Sequence, residues 1–221
     1  MTTSAEIETR PDLLAEFDRQ VAVLLEKDYA RASGLQPDAF LERVSPLKDL
    51  LGDGSAAADS SPYPFLLVVK SELVPASRAI AFVQRRDLPG FTVLDDDDLA
   101  RFEPIDTVEL PRGGAYLVLD VDTGADLRNV TPNDALEQIE SADRSPLTID
   151  EGVALITQHP EAVAKNGGFS LAGSRCGDRR VCAVWISEGR PKLGWCWAGN
   201  PHTWLGTASC AGRIGVPIPG G

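Results

Sequence analysis

The sequence predicts an α+β protein, and three patterns in the chain support that prediction. Near the start, large apolar residues recur every three to four positions, which is typical of amphipathic helices. After residue 63, short runs rich in β-branched and aromatic residues predict strands, and helix-start signals interrupt these runs. We therefore expect an N-terminal helical hairpin, then an antiparallel or mixed sheet with helices, and a C-terminal tryptophan-rich β-hairpin.

The first 52 residues are predicted to form a helical hairpin subdomain. An apolar stripe from residue 13 to residue 29 predicts the first helix, and Gly34 lies beyond its end. A second helical stretch opens at Pro37, which suits a first helical turn, and closes at Gly52. Because the connection between the two stretches is short, we expect them to pack against each other as neighbours.

Residues 53–62 read DGSAAADSSP and are predicted to be a linker. The stretch combines small, flexible and turn-forming residues without any apolar period. Residues 63–221 are then expected to form one α+β domain that carries the functional site. In the first part of this domain the sequence predicts strands at Phe65–Lys70, Ala79–Gln84, Thr107–Leu110 and Tyr116–Val121.

Helix-start signals mark three further helices. The carboxylates of residues 95–98 suit the positive end of a short helix, and we assign them no metal site because neighbouring residues converge poorly on one ion. Thr131 followed by Pro132 predicts a capped helix start. Thr148 and Glu151 match the capping-box pattern and lead into an apolar run.

The last strands are predicted at 169–172, 181–187 and 192–197, with the last two joined by a hairpin loop at 188–191. If Ser187 pairs with Lys192, alternation puts Cys182 on an apolar core face. Trp185 and Cys196 then share the opposite face with Gly194, and a site could form there.

The charge distribution limits the classes of partner. The net charge of −12 makes the protein acidic and disfavours nucleic acid or an anionic membrane as a partner. Residues 1–160 carry 14 Lys and Arg against 30 Asp and Glu, whereas residues 161–221 carry seven against three. The last quarter is therefore basic, and it also contains all four cysteines, all four tryptophans and 12 of the 20 glycines.

The sequence also indicates a location. The longest apolar runs have five or six residues, whereas a membrane helix needs about 20. The start of the chain lacks the basic and apolar segments of a secretion signal, so we expect a cytoplasmic protein without disulfides. No P-loop or dinucleotide-binding glycine pattern is present, and we expect no cofactor.

The connection GSRCGDRR places the thiol of Cys176 among charged residues. Arg175, Arg179 and Arg180 lie close to it in sequence, together with Asp178. Nearby guanidinium groups favour the thiolate, which a nucleophilic cysteine needs. The alternative is a turn whose arginines form ion pairs with the acidic part of the chain.

The stretch from Gly194 to Gly206 concentrates three tryptophans, a thiol, an amide and an imidazole. Such clusters are typical of either a specific core or an aromatic ligand pocket. Our first hypothesis is a pocket for a small molecule or a peptide segment at this end of the chain. The predicted ligand-binding residues are Arg175, Asp178, Arg179, Arg180, Trp185, Cys196, Asn200, His202 and Trp204.

Two other assignments use the same region. In an acyl-transfer or hydrolytic enzyme, Cys176 would be the nucleophile and His202 its base, although no cysteine-protease signature surrounds the thiol. In an interaction protein, Cys176, Cys196, Cys210 and His202 would bind a structural zinc ion, although the sequence contains no Cys-x-x-Cys pair. We assign no metal ligands, and the oligomeric state stays open.

Three segments carry a resemblance to a known family. Residues 145–155 (SPLTIDEGVAL), 173–181 (GSRCGDRRV) and 191–206 (PKLGWCWAGNPHTWLG) resemble the signature segments of an actinobacterial family known as the domain of unknown function 5701. The likeness covers most of the chain and is strongest after Ser145. The family has no established activity, cofactor or catalytic residues, so the resemblance implies an intact small protein and leaves its mechanism open.

Overall fold

The computed structural model describes residues 12–52 and 61–217. The predicted linker therefore lies outside the described residues, except for Ser61 and Pro62. The described helices are α1 (Leu13–Glu26), α2 (Tyr29–Ala32), α3 (Pro37–Val44), α4 (Ala76–Phe82), α5 (Asp96–Ala100), α6 (Pro132–Ser141) and α7 (Ile149–Gln158), with 3₁₀ turns at Ser45–Leu51, Ala125–Leu127 and Pro160–Ala162. None of these helices is long and apolar enough to cross a membrane.

The strands form two main sheets and one short ribbon, which confirms the α+β class. The strands are β1 (Tyr63–Val69), β2 (Gln84–Arg85), β3 (Leu88–Pro89), β4 (Phe91–Thr92), β5 (Glu103–Pro104), β6 (Ala115–Asp122), β7 (Ser145–Pro146), β8 (Gly168–Arg175), β9 (Arg180–Ser187), β10 (Arg190–Trp197), β11 (Leu205–Thr207) and β12 (Ser209–Ile214).

The first sheet is antiparallel and has the order β1-β6-β12-β7. The second sheet is mixed and has the order β11-β8-β9-β10-β4, with β5 added beside β8. Its central strands β8, β9 and β10 are antiparallel, whereas β11 and β4 run parallel to their neighbours. Strands β2 and β3 form a separate ribbon.

Helix α7 is buried along nearly its whole length, and Asp150 is the one residue that is only partly buried. It packs against β1 of the first sheet and against Leu171 in β8 of the second. Gly152 makes the second contact possible, because a Cβ atom there would lie 2.2 Å from Leu171 Cδ2. The helix thus connects the two sheets and has its first turn at the edge of the core.

Helix α1 covers the outer edge of the first sheet. The side chain of Gln20 is fully buried, receives the N–H of Leu67 at 2.7 Å and donates to the carbonyl of Phe65 at 3.1 Å. The amide thereby replaces a neighbouring strand and satisfies backbone groups of β1 that would otherwise be unpaired. The same hydrophobic core contains side chains from α1, α3 and both sheets.

Two predicted strands are wrong. Residues 79–84 belong mostly to α4, because Pro75 precedes the helix and Ala76, Ala79 and Ile80 bury one helical face. Residues 107–110 form no strand, since a turn closes with the N–H of Val108 on the carbonyl of Ile105. In both places a short apolar run has the residue pattern of a strand, but it does not pair with a neighbouring strand in the predicted way.

The final hairpin has the predicted faces but a different register. Ser187 pairs with Arg190 and not with Lys192, because the turn contains only Glu188 and Gly189, at φ 53° and 78°. Two residues with positive φ are typical of a tight hairpin turn that matches the strand twist. The register differs by two residues, so every side chain keeps its predicted face.

Candidate functional site

The thiol of Cys176 is less acidic than the sequence suggests. It lies in the turn after β8 and hydrogen-bonds the carboxylate of Asp178 at 3.1 Å. Burial and this bond to a carboxylate raise the pKa of the Cys176 thiol, with burial the larger cause. The arginines were expected to stabilise the thiolate, but the carboxylate lies closer and favours the thiol. The turn therefore favours the thiol of Cys176 over the thiolate.

Cys176 and His202 lie on different faces of the second sheet. Cys176 packs against the main core on the face that carries Cys182. On the opposite face Trp204 packs against a smaller apolar cluster, and the His202 ring centre is 5.4 Å from the Trp204 ring. The sheet thus separates the predicted nucleophile from its predicted base, and the Cys–His pairing has no geometric support.

The cysteines do not gather at one place. Cys196 lies in the smaller cluster, with its sulfur 3.6 Å from the hydroxyl of Ser170, and Cys210 is buried in β12 of the first sheet. All four cysteines are free thiols, and burial raises the pKa of Cys210 to about 12. Within residues 12–52 and 61–217 no three metal-ligating side chains are close enough to share one ion.

The predicted arginines are engaged by the protein itself. Arg175 donates to the side chain of Asn133 at 3.3 Å, and Arg179 stacks 5.7 Å from the centre of the Trp197 ring. Arg180 forms ion pairs with Asp178 at 2.9 Å and with Asp98 in α5 at 3.2 Å. These carboxylates raise the pKa of Arg180. The alternative interpretation of this segment, a turn paired with the acidic part of the chain, describes Arg180 correctly.

The predicted aromatic residues pack on each other and on the sheet. The Trp185 ring covers Gly194, where a Cβ atom would be 2.4 Å from the indole, and it meets Trp204 edge-on at 6.0 Å. The ammonium of Lys192 lies 5.2 Å from the Trp185 ring centre. Asn200 is exposed and reaches Trp197 through its backbone N–H. We therefore describe this aromatic cluster as a small hydrophobic core near the protein surface.

A cleft of about 500 Å³ lies elsewhere, at the first turn of α7. Residues of α4 and α5, of the turn after β1 and of the start of α7 line it. None of the predicted site residues lines this cleft. The lining residues are Lys70, Ser71, Glu72, Pro75, Ala76, Asp96, Leu99, Ala100, Phe102, Pro104, Leu110, Thr148, Ile149, Asp150 and Ser174.

The lining divides into an apolar part and a polar end. Leu99, Phe102 and Ile149 give apolar surface, and they are all buried side chains of the core. At the polar end, the carboxylate of Asp150 accepts the N–H of Ser71 at 2.9 Å and the hydroxyl of the same residue. Burial raises the pKa of Asp150, because the charged form loses water, and the bonds from Ser71 oppose that effect.

The polar end is positioned by a buried network behind it. The side chain of Glu151 is fully buried and accepts the N–H of Thr148 at 2.7 Å, which is one arm of the capping box. Arg213 contacts both oxygens of Glu151, and the hydroxyl of Tyr116 donates to it at 2.9 Å. This network fixes the start of α7 and therefore the direction of the neighbouring Asp150.

One predicted residue supports the cleft from outside. The guanidinium of Arg180 joins the turn before β9 to Asp98 of α5, and it lies 5.5 Å from the centre of the Phe102 ring. Helix α5 carries Asp96, Leu99 and Ala100 of the lining. Arg180 thus holds one wall of the cleft in place, and the sequence interpretation identified the residue but not its role.

The cleft could not be found from local patterns. Its polar end combines residues near positions 70 and 150, and its walls come from residues near 76, 100 and 174. The capping-box signal marked the start of α7, but Asp150 inside it has no distinguishing pattern. Only the packing of α7 between the two sheets brings these segments together.

Comparison with known proteins gives a family but no activity. No curated protein and no solved structure is significantly similar to the chain. A family model described as a family of unknown function, DUF5701, matches residues 23–216, which include α2 to α7 and the twelve strands of the part of the chain that the structure describes. The match thus covers the cleft as well as the tryptophan-rich hairpin. The chain belongs to this family of unknown function, DUF5701.

Proposed function

We propose that this protein binds a small organic molecule in the cleft at the first turn of α7. This retains the class of function expected from the sequence, small-molecule binding, and moves the site away from the Trp/Arg/His cluster. One observation carries the proposal: a cleft of about 500 Å³ joins a buried apolar wall to a convergent polar end. Cavities of about 300–1,000 Å³ with this division are typical of small-molecule sites.

The lining predicts which parts of the ligand are apolar and which are polar. Leu99, Phe102 and Ile149 would contact an apolar body, whose transfer from water contributes roughly 25 cal/mol per Å². Ser71, Thr148 and Asp150 offer hydrogen-bonding groups at one end, where they would orient a polar head. The ligand is therefore expected to be amphipathic.

The four free thiols support a cytoplasmic location, which we include in the proposal.

The experiment is a thermal-shift screen of a small-molecule library with the wild-type protein. Compounds that raise the melting temperature are then tested on Ala100→Trp, in which an indole at the exposed end of α5 obstructs the cleft. We expect this variant to lose the stabilisation. The matched control is Ala142→Trp, another exposed position, which follows α6 and lies outside the cleft lining, and it should keep the stabilisation.

The opposite pattern overturns the proposal. If the compounds still stabilise Ala100→Trp but lose their effect in Trp204→Ala, the binding site is the aromatic cluster of the second sheet. Melting temperatures of the unliganded variants, measured in the same plates, show whether each variant is folded before compounds are compared.

A further inference from the structure

Negative charges outnumber positive charges around the cleft, and this excess affects which ligands the cleft can bind. Three carboxylates line the cleft, those of Glu72, Asp96 and Asp150, against the single ammonium of Lys70. Glu72 and Asp96 are exposed at the mouth, and neither forms an ion pair with any residue of the described part of the chain. The surface that a ligand meets is therefore negative.

The single cation is already held by the protein. The ammonium of Lys70 donates to the carbonyl of Pro111 at 2.7 Å, and it lies 5.7 Å from the centre of the Tyr116 ring. Both contacts fix it between β1 and the segment before β6. Because its ammonium is already engaged, Lys70 should attract a ligand anion less strongly than a free lysine at the mouth of the cleft would.

The start of α7 does not act as an anion site either. A helix N-terminus attracts anions through its free N–H groups and its dipole. Here the N–H of Thr148 is taken by Glu151 and the N–H of Ile149 by the hydroxyl of Ser174. Asp150 and Glu151 also place two carboxylates in the first turn, where they already balance the dipole.

The carboxylate of Asp150 accepts its hydrogen bonds from neutral groups, and Lys70 acts on it only through its charge. Its two hydrogen bonds come from the N–H and the hydroxyl of Ser71, and an ionised carboxylate can accept about four. Desolvation is the largest cause of the raised pKa of Asp150, and the bonds from Ser71 and the nearby charge of Lys70 oppose it only in part. A positively charged head group at this position would supply the missing charge and further hydrogen bonds.

We infer that the ligand of this cleft is an amine: an apolar body with a protonated amino group that binds against the carboxylate of Asp150, with Glu72 and Asp96 at the mouth. The inference rests on the proposed function, because it concerns the same cleft. The apolar wall accepts the body, and the three carboxylates select the cationic head over a neutral or anionic one. The ammonium donates hydrogen bonds to the oxygens of Asp150.

The test uses three probes with one phenyl body and different heads: 2-phenylethylamine, 2-phenylethanol and 3-phenylpropanoate. Each is titrated into the ¹⁵N-labelled full chain at pH 7, and dissociation constants are taken from shifts of the amide signals of Ser71, Ile149 and Asp150. We expect the ammonium probe to bind roughly tenfold or more tightly than the alcohol, and the carboxylate probe most weakly.

Substitutions assign the selectivity to individual carboxylates. Asp150→Asn should reduce the affinity ratio of ammonium to alcohol to near one while the alcohol still binds. Asp96→Asn is a second variant at an exposed position, and it should lower the ratio by a smaller factor. Asp97→Asn, on the same helix but outside the lining, is the control and should leave the ratio unchanged.

Two negative results are distinguishable. If the alcohol or the carboxylate binds in the cleft as tightly as the ammonium, the amine inference is wrong. The proposal that the cleft binds a small molecule is then still supported. If none of the three probes shifts the amide signals around Asp150, the result contradicts both the amine inference and the proposal that this cleft binds small molecules. A ratio unaffected by Asp150→Asn and Asp96→Asn also overturns the inference.

Discussion

Glu151 is the residue on which the start of α7 most depends. Its carboxylate is fully buried, and it contacts Arg213, Tyr116 and the N–H of Thr148 together. A buried ion pair adds little net stability over an apolar pair, but its loss leaves an uncompensated charge in the core. The network therefore matters less as a source of stability than as a constraint on where the first turn of α7 lies.

Replacement of Glu151 by Gln should consequently lower the free energy of unfolding by about 3–5 kcal/mol, because Arg213 then stays buried without its counter-charge. Urea denaturation followed by tryptophan fluorescence measures the change. Glu137→Gln, at an exposed position of α6, should change stability by less than about 0.5 kcal/mol. Equal stabilities of the two variants would refute the role given to the network.

Gly152 is required by packing and not by backbone conformation. A Cβ atom there would lie 2.2 Å and 2.6 Å from the two methyl carbons of Leu171, which is fully buried and cannot move aside freely. Gly152→Ala should therefore destabilise the protein, since overpacking costs about 1–3 kcal/mol and alanine regains at most about 1 kcal/mol in helix propensity.

The control for this variant is Gly212→Ala in β12, where no atom lies within 4 Å of the added Cβ position. Both variants are compared with the wild type by thermal and chemical denaturation. A Gly152→Ala protein at least as stable as the wild type would mean that α7 can shift away from β8, and the close contact between them would then be unnecessary for the fold.

Among the elements, α5 is the one whose position depends on a distant turn. This helix has five residues and little buried surface, with Leu99 as its one buried side chain. Arg180 ties it to the second sheet through Asp98, and Asp178 holds the guanidinium from the other side. A short helix held mainly by one ion-pair network is expected to open locally when that network is removed.

Arg180→Ala should accordingly raise hydrogen exchange of the α5 amides by several-fold while the exchange of β9 and β10 changes little. The same variant should weaken binding in the cleft, because α5 carries part of its lining. Arg179→Ala is the matched control, since Arg179 stacks on Trp197 and the ion pairs of α5 involve Arg101 and Arg180 instead. Unchanged exchange in α5 would show that Leu99 alone suffices to hold the helix.

At the scale of the whole molecule, the class of fold and most elements follow from local patterns. The amphipathic start, the capping box of α7 and the strands of the final hairpin each carry a signal within about ten residues. Where prediction failed, at residues 79–84 and 107–110, a short apolar run was compatible with either helix, strand or turn. The hairpin register was missed because the turn length decides it, and Glu188 gave no sign of its positive φ.

The site that we propose differs from the one expected from the sequence for another physical reason. Cys176 and Arg180 are neighbours of charged residues in sequence, which suggested an activated thiol, whereas folding gave those charges partners of their own. Cys176 and His202 were paired because their chemistry suits a nucleophile and its base, but the sheet puts the two on different faces. The cleft depends on contacts between segments about 80 residues apart, and such contacts have no local signature.

The most direct test of the cleft is a crystal structure of the wild-type protein with a compound that stabilises it in the thermal-shift screen. The account predicts electron density for the compound against Leu99, Phe102 and Ile149, with its polar head at Asp150. Density on the indoles of Trp185 and Trp204, with the cleft occupied by water alone, would contradict it.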